Sequence, residues 1–596
     1  MKRNFPFFCI CFLPLIQSAA AQWEPTRHPL YDAASPIPEK VQTNLPPGVN
    51  PEPEEVIPVA TKLEIAPAAD RRITTNSTYP FGFFEIHPKL NLKAWRGERC
   101  SAQMGIRANG QAEQLSVACS GLSNGKQTIN ADVSLLGYTK AHGVPTADVI
   151  TRDTSCDNPV GTVRGAWLQI DVPRNAAPGL YRGTITVSAV GCEPVHQDVS
   201  LLVEDATLPA PADWRIHLDL WQHPQSVARW HDVEPWSPEH FALLRPIMKR
   251  LAEAGQKCIT CTLLDEAWNA QTYDWFPSMV RWVRGKDGQM RYDYSALDAW
   301  IHFMHDEIGI REQISCYSMI PWHLSVRFFD EATGKYASIK AKPGTPEYDE
   351  LWAPFMRDFR KHMQEKGWAD KTCIAIDERP DAYVRAAMKL VQENAPEFRF
   401  SSAVDKPSEL TREVYNISPV ITHAGTALGD LLKERKAAGK ITTFYVCLHP
   451  QKPNTFTHSS PAEAEWLGLF AAANHLDGFL RWAYNSWNRN PFETTDFVHW
   501  PSGDCFLVYP GNRSSVRFER LRDGIEDFEK INLLRSRAAA SPRAAEIIAD
   551  MDRQLLEIFS VERSKGSTHT QDVIQAQQII SDTMRALSEQ PALIDR

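Results

Sequence analysis

Several features are missing from this 596-residue chain, and each absence narrows what it can do. Beyond its first residues it has no uninterrupted apolar run of about 18 residues, so no membrane-spanning helix is expected. No block of five or more basic residues occurs, and 64 Lys and Arg face 73 Asp and Glu for a net charge of −9. That balance excludes nucleic acid as the main partner. No HExxH or comparable histidine spacing is present, and neither is a phosphate-cradling glycine loop or a GxSxG elbow, so no metal and no cofactor are expected. Cysteine is sparse at twelve, and its single CxxC, Cys258-Ile-Thr-Cys261, has no second pair. It lies in a strand-like run, where positions i and i+3 point to opposite faces, which argues against a zinc or redox site.

What is present is ordinary globular composition, 43% hydrophobic and 23% charged. The length accommodates two to four domains at roughly 100–200 residues each. Residues 1–21 read as a cleaved signal peptide: basic Lys2 and Arg3, an apolar stretch from Phe5 to Ile16, then Ser18-Ala19-Ala20-Ala21. An exported protein, periplasmic or secreted, is the expectation. Residues 22–73 form a proline-rich linker or arm, with ten prolines between Glu24 and Pro67. Export would let Cys100, Cys119, Cys156 and Cys192 form two disulfides in a pairing the sequence leaves open.

Between residues 74 and 207 short alternating runs separated by turns predict an all-β sandwich. Residues 213–540 change rhythm, and apolar strands at 215–220, 257–264, 313–318, 372–376, 399–403, 413–417, 442–448 and 478–482 alternate with helical patterns. That alternation predicts a (β/α)8 barrel. The charged run from Arg517 to Arg535 reads as a surface helix closing the barrel, and residues 541–596 as a helical C-terminal segment.

In such a barrel, chemistry sits just past the C-terminal strand ends. Past strand one come Asp219, Trp221 and His223; past strand three, Tyr317, Trp322 and His323; past strand four, Asp377 and Glu378. Strand seven contributes Tyr445 and Asn454, and strand eight Trp482, Tyr484, Asn485 and Trp487. Carboxylates, imidazoles, amides and tryptophans at one mouth suit a sugar, whose apolar face lies on an aromatic ring. Fifteen of the 18 tryptophans fall between Trp214 and Trp500, in keeping with this, although a large barrel also buries aromatics.

Three Asp-Glu pairs compete for acid/base work. Asp306-Glu307 sits in a helical stretch and reads as solvated surface. Asp265-Glu266 follows strand two as a candidate substrate contact. Asp377-Glu378 is delivered to the rim by the apolar run 373–376; the alternative for it is a structural salt bridge to Arg379 or Arg385. Two-carboxylate glycosidases hold their groups about 5–5.5 Å or 6.5–9.5 Å apart, from different strands as a rule. Neighbouring carboxyls fit another route instead. In it the sugar's own 2-acetamido oxygen attacks C1, the Glu protonates the leaving oxygen, and the Asp orients the acetamide N–H. The partner of that chemistry is a glycan bearing a β-linked 2-acetamido sugar.

In order and spacing, several segments together resemble glycoside hydrolase family 123, the β-N-acetylgalactosaminidases. They include Asp219-Leu-Trp-Gln-His-Pro, Glu234-Pro-Trp-Ser, Cys316-Tyr-Ser-Met-Ile-Pro-Trp, Asp377-Glu378, Pro453-Asn-Thr-Phe, Arg481-Trp-Ala-Tyr-Asn-Ser-Trp and Arg520-Leu-Arg-Asp-Gly-Ile-Glu-Asp-Phe-Glu. The resemblance implies a β-sandwich followed by a (β/α)8 barrel, no metal, and retaining removal of terminal β-linked N-acetylgalactosamine. It also implies Asp377 as the acetamide-orienting carboxylate and Glu378 as the acid/base. N-acetylglucosamine, an internal linkage or a non-catalytic glycan-binding role remain as alternatives.

Overall fold

The computed structural model describes residues 59–68, 72–74, 89–159, 161–268, 271–498, 500–566 and 568–589. The expected signal peptide and most of the proline-rich arm lie outside these residues.

The N-terminal region is mainly β. One sheet orders Leu63–Pro67, Arg99–Ala108, Arg164–Asp171, Asp132–Ala141 and Val144–Ile150, and the other Lys89–Arg96, Val195–Thr207, Gly179–Ser188, Ala112–Cys119 and Ser155–Asn158. Alternation sets which side chains face inward. In Val195–Thr207 the buried positions include Gln197, Val199, Leu201 and Val203. Val199, Leu201 and Val203 meet Met104, Ile106, Leu168 and Ile170 of the first sheet in one apolar core. The four cysteines of this region are free thiols. Three of them lie in strands opposite other residues, Cys156 facing Leu115, Cys119 facing Ile185 and Cys100 facing Ile170, so the register pairs none of these three with another.

All eight apolar runs of the second half carry parallel strand pairing. His217–Leu220 pairs Gly478–Arg481, while Cys258–Thr262, Gln313–Tyr317, Thr372–Ile376, Arg399–Val404, Asn416–Pro419 and Ile441–Thr442 form a six-stranded parallel sheet in that order. Single parallel bridges connect the two pieces, Leu218 to Gln256 on one side and Tyr445 to Val420 and Leu480 on the other. The seventh run is regular only at its start, and its later residues hold by isolated bonds such as Tyr445 N to the Pro419 carbonyl. Helices Pro238–Ala252, Pro346–Glu365, Asp381–Asn394, Asp430–Ala437 and Pro461–Ala473 follow individual strands. Because the strands are parallel, all their C-terminal ends face one way, and the residues just past them converge.

Two features depart from the sequence reading. Insertions after the second and third parallel strands build a four-stranded sheet from Arg281–Arg284, Met290–Asp293, Ser325–Asp330 and Lys335–Lys340. The second is the helix Val516–Arg535, which is not a solvated surface helix. Glu519, Glu526, Asp527, Glu529 and Lys530 are buried. Its charges find partners across the joint with the β region: Lys530 Nζ lies 2.6 Å from Glu98 and Arg517 Nε 3.0 Å from Asp148. Pairing lets a charge-rich helix sit inside the molecule.

Candidate active site

Thr372–Ile376 is buried along its whole length and ends directly in Asp377 and Glu378. Trp322 Nε1 donates to Asp377 Oδ2 at 3.2 Å, and the Tyr445 hydroxyl donates to Glu378 Oε1. Neither arginine captures the pair. Arg385 bonds Glu413 at 2.7 Å, and the Arg379 guanidinium lies 4.7 Å over the Trp322 ring.

Loss of surrounding water governs the protonation of both carboxyls, Asp377 being half-buried and Glu378 more exposed. It pushes Asp377 up to about 7, with the neighbouring Glu378 adding to the rise and the Trp322 N–H opposing it. The same loss raises Glu378, against the Tyr445 hydroxyl, which favours its charged form. Two adjacent carboxyls thus hold a proton between them near neutral pH, and the two titrate as a unit.

A packed aromatic cluster adjoins the pair through Tyr317, which pairs with Ala375 on the neighbouring strand. Trp221 and Tyr317 have ring centroids 4.6 Å apart, Trp221 and Trp268 stack at 5.3 Å, and Trp268 meets Tyr317 at 5.1 Å and Phe276 edge-on at 4.9 Å. His223 touches Trp268, Phe276 and Trp482, and Trp482 meets Trp500 at 5.5 Å. His223 Nδ1 lies 3.2 Å from the Trp221 carbonyl, and burial lowers the imidazole to about 3, so the ring is neutral with Nδ1–H as donor. Its Nε2 and the Trp268 Nε1 are buried with no hydrogen-bond partner among the described residues. An acceptor and a donor therefore lie unengaged within an aromatic wall, the kind of polar group that fixes a ligand's orientation. Asp219 is buried beneath, raised to about 7 by that burial beside Cys258 and Trp221.

Of the residues expected here, Asp219, Trp221, His223, Tyr317, Trp322, Tyr445 and Trp482 gather with Asp377 and Glu378. Others do not. The Tyr484 hydroxyl donates to the Ile247 carbonyl and Trp487 Nε1 to the Val508 carbonyl, both fully buried in packing. Asn485 clamps the His223 backbone, accepting from its N–H at 3.0 Å and donating to its carbonyl at 3.0 Å. Asn454 bonds the Cys447 carbonyl and accepts from Arg481 Nη1 at 3.2 Å. His323 is exposed. Asp265 and Glu266 hold their own loop: Asp265 accepts from Ser278 N and pairs Arg327, while Glu266 accepts from Phe276 N at 2.7 Å. Sequence reasoning missed Trp268 and Trp500, and read Arg379 only as an alternative ion-pair partner of the carboxyls. Trp268 was within reach of the strand-end criterion, two residues past Glu266. Among the described residues no group of three or more His, Cys, Asp or Glu is arranged to hold a metal ion.

Comparison with known proteins bears on this site. The model of the glycoside hydrolase 123 catalytic domain matches residues 221–534, and that of the glycoside hydrolase 123 N-terminal domain matches residues 136–189. A family 123 glycoside hydrolase from Clostridium perfringens, solved to detail glycolipid glycan hydrolysis, superposes with a TM-score of 0.81 at 26% identity, over 88% of this chain and 99% of that one. Two other glycosidases are distant. A Bacteroides ovatus xyloglucanase gives a TM-score of 0.22 at 12% identity over 78% of this chain and 99% of its own. A Paenibacillus chitinase gives 0.23 at 9% over 79% and 56%. No curated protein matches. The catalytic-domain match alone spans more than half the chain and contains the Asp377-Glu378 pair with most of its aromatic neighbours: the chain belongs to glycoside hydrolase family 123.

Proposed function

We propose that this glycosidase is an exported, retaining exo-β-N-acetylgalactosaminidase that works through the substrate's own 2-acetamido group. The observation that carries the reading is the adjacency of Asp377 and Glu378 at one strand end, each with its own hydrogen-bond donor. A sugar against the aromatic cluster turns its N-acetyl group toward Asp377. The ionised carboxylate accepts the acetamide N–H, aligning the carbonyl oxygen for attack on C1. Glu378, protonated, gives its proton to the departing oxygen as the C1–O bond breaks. The acetamide oxygen closes on C1 from the opposite face, giving a bicyclic oxazolinium ion whose charge Asp377 stabilises. Glu378, now ionised, then takes a proton from water, which opens the ring at C1 with net retention. Proton transfer of this kind contributes roughly 10²–10⁴ in rate.

The same reading assigns the wider architecture. The closed order of eight parallel pairings, each followed by helix or insertion, supports a (β/α)8 barrel over residues 213–540, with a β-sandwich at 74–207 before it. The basic and apolar N-terminus supports export. The Clostridium relative's glycolipid glycans make such glycans a candidate natural substrate here as well.

Hydrolysis of p-nitrophenyl β-N-acetylgalactosaminide beside its N-acetylglucosaminide and galactoside counterparts tests the reading. Turnover of the first alone is the expected result. Turnover of the galactoside, which has no acetamide, overturns the mechanism, and preference for the glucosaminide overturns the sugar.

A further inference from the structure

The four-stranded insertion sheet presents an outer face whose chemistry the hydrolytic site does not use. Register decides which residues share it. Arg281 pairs Asp293, Val283 pairs Arg291 and Phe329, Phe329 pairs Tyr336, and Ser325 pairs Lys340. The alternate positions Trp282, Val326 and Phe328 are buried inward, with Trp282 stacked 4.5 Å from Phe355. The outer face therefore holds Arg281, Arg291, Arg327 and Lys340 against one carboxylate, Asp293.

An aromatic pair lies among these cations. Phe329 and Tyr336 meet edge-on at 5.4 Å, and Tyr336 is 44% exposed, unusual for a large aromatic. Arg327 Cζ stands 3.7 Å over the Tyr336 ring and Arg281 Cζ 5.8 Å over Phe329. Two of the four cations are already neutralised, Arg327 by Asp265 and Arg291 by Asp287 and Glu331. Arg281 and Lys340 are exposed, and among the described residues neither makes an ion pair, although the Asp293 carboxylate opposite Arg281 feels its charge.

The face continues the candidate active site. Ser325 follows Trp322, the donor to Asp377, by three residues. Arg327 reaches Asp265 just past the second parallel strand. Beyond Lys340, the Lys342 ammonium lies 5.8 Å from the Tyr383 ring in the helix that follows Arg379.

We propose that this outer face binds the part of the substrate beyond the cleaved sugar, and that this part is an acidic oligosaccharide. Tyr336 and Phe329 take the C–H face of a sugar ring, and Arg281 with Lys340 pair its carboxylate or sulfate. The inference deepens the reading of the site as glycan-cleaving and rests on it. Guanidinium and aromatic surfaces side by side match a ring that carries a charge, and the two cations outside those ion pairs, Arg281 and Lys340, set its sign.

Fluorescence anisotropy of the full chain with a labelled chondroitin sulfate hexasaccharide tests the proposal. Three further probes accompany it: the desulfated form, the carboxyl-reduced form and the neutral form lacking both charges. The charged probes are expected to bind at least about tenfold tighter than the neutral one, less so at high salt. Comparison of the desulfated and carboxyl-reduced arms identifies which anion is read. R281A/K340A and Y336A are each expected to lose about tenfold on charged probes, Y336F to retain affinity, and all three to turn over p-nitrophenyl β-N-acetylgalactosaminide as the parent does. Equal binding of the neutral probe overturns the proposal, and so does unchanged affinity in the two alanine variants. If the parent discriminates among probes but hydrolyses no chromogenic sugar, the catalytic reading falls and the acidic-glycan face stands.

Discussion

Trp322 Nε1 donates to Asp377 Oδ2 at 3.2 Å, and the two residues come from neighbouring parallel strands. An N–H aimed at a half-buried carboxylate favours its charged form, the form that can accept an acetamide N–H. One residue on, the Tyr445 hydroxyl does the same for Glu378. The two donors thus tune two adjacent carboxyls separately.

Removal of the carboxyls comes first. Asp377→Asn and Glu378→Gln each lower kcat by about 10²–10⁴ with the melting temperature little changed. A substrate with a leaving group that needs no proton partly restores Glu378→Gln but not Asp377→Asn. Near-parental turnover in both variants would contradict the assignment.

The donors separate the two limbs of the pH profile. Trp322→Phe removes a group that favours ionised Asp377, so the acid limb of kcat/KM moves to higher pH. Tyr445→Phe removes the group that favours ionised Glu378, so the acid stays protonated longer and the alkaline limb moves to higher pH. Profiles of the two variants against the parent check both directions, and movement of the opposite limb in either would refute its assignment.

Stability carries its own pH signature at the joint between the β region and Val516–Arg535. Burial raises Asp523 to about 7 and Glu526 to about 8. A carboxyl whose folded value is raised stabilises fully below its unfolded value, and that contribution is lost as pH rises through the folded one. The stability of the parent relative to Glu526→Gln is therefore expected to fall between pH 5 and pH 8, by about 1.4 kcal/mol per pH unit for the native-only proton. The comparison cancels buried neutral histidines such as His223, whose lowered value favours the fold as pH rises. A difference that stays flat or rises over this window would contradict the account.

Lys530 sits between Glu98 at 2.6 Å and Asp527 at 3.1 Å, all three buried. Lys530→Met leaves two carboxyls facing each other and is expected to destabilise by about 3–5 kcal/mol in urea unfolding. Adding Glu98→Gln recovers part of that loss.

The parallel strands were legible because each is a short apolar run ending in polar residues, and Thr372–Ile376 is read to the residue. The insertion sheet was not, since Lys335–Lys340 is largely exposed and reads as polar loop. Val516–Arg535 was misread because charge content marks a solvated helix only when partners are absent, and Glu98 and Asp148 are far away in sequence. Past the eighth strand the chain turns back into the core, where Leu507 N bonds the Tyr484 carbonyl, so Tyr484 and Trp487 pack inside. Tyr445 was placed only past the seventh strand, and the structure turns its hydroxyl onto Glu378. A sequence locates a residue past a strand but not the direction of its side chain.

The most direct test of the central claim uses the nucleophile that the substrate itself supplies. In a series of p-nitrophenyl β-galactosaminides bearing acetyl, monofluoroacetyl, difluoroacetyl and trifluoroacetyl groups on nitrogen, each fluorine weakens the attacking carbonyl oxygen. The account predicts a steep, monotonic fall in kcat/KM across the series. A flat response would mean that an enzyme group, and not the acetamide, attacks the anomeric carbon.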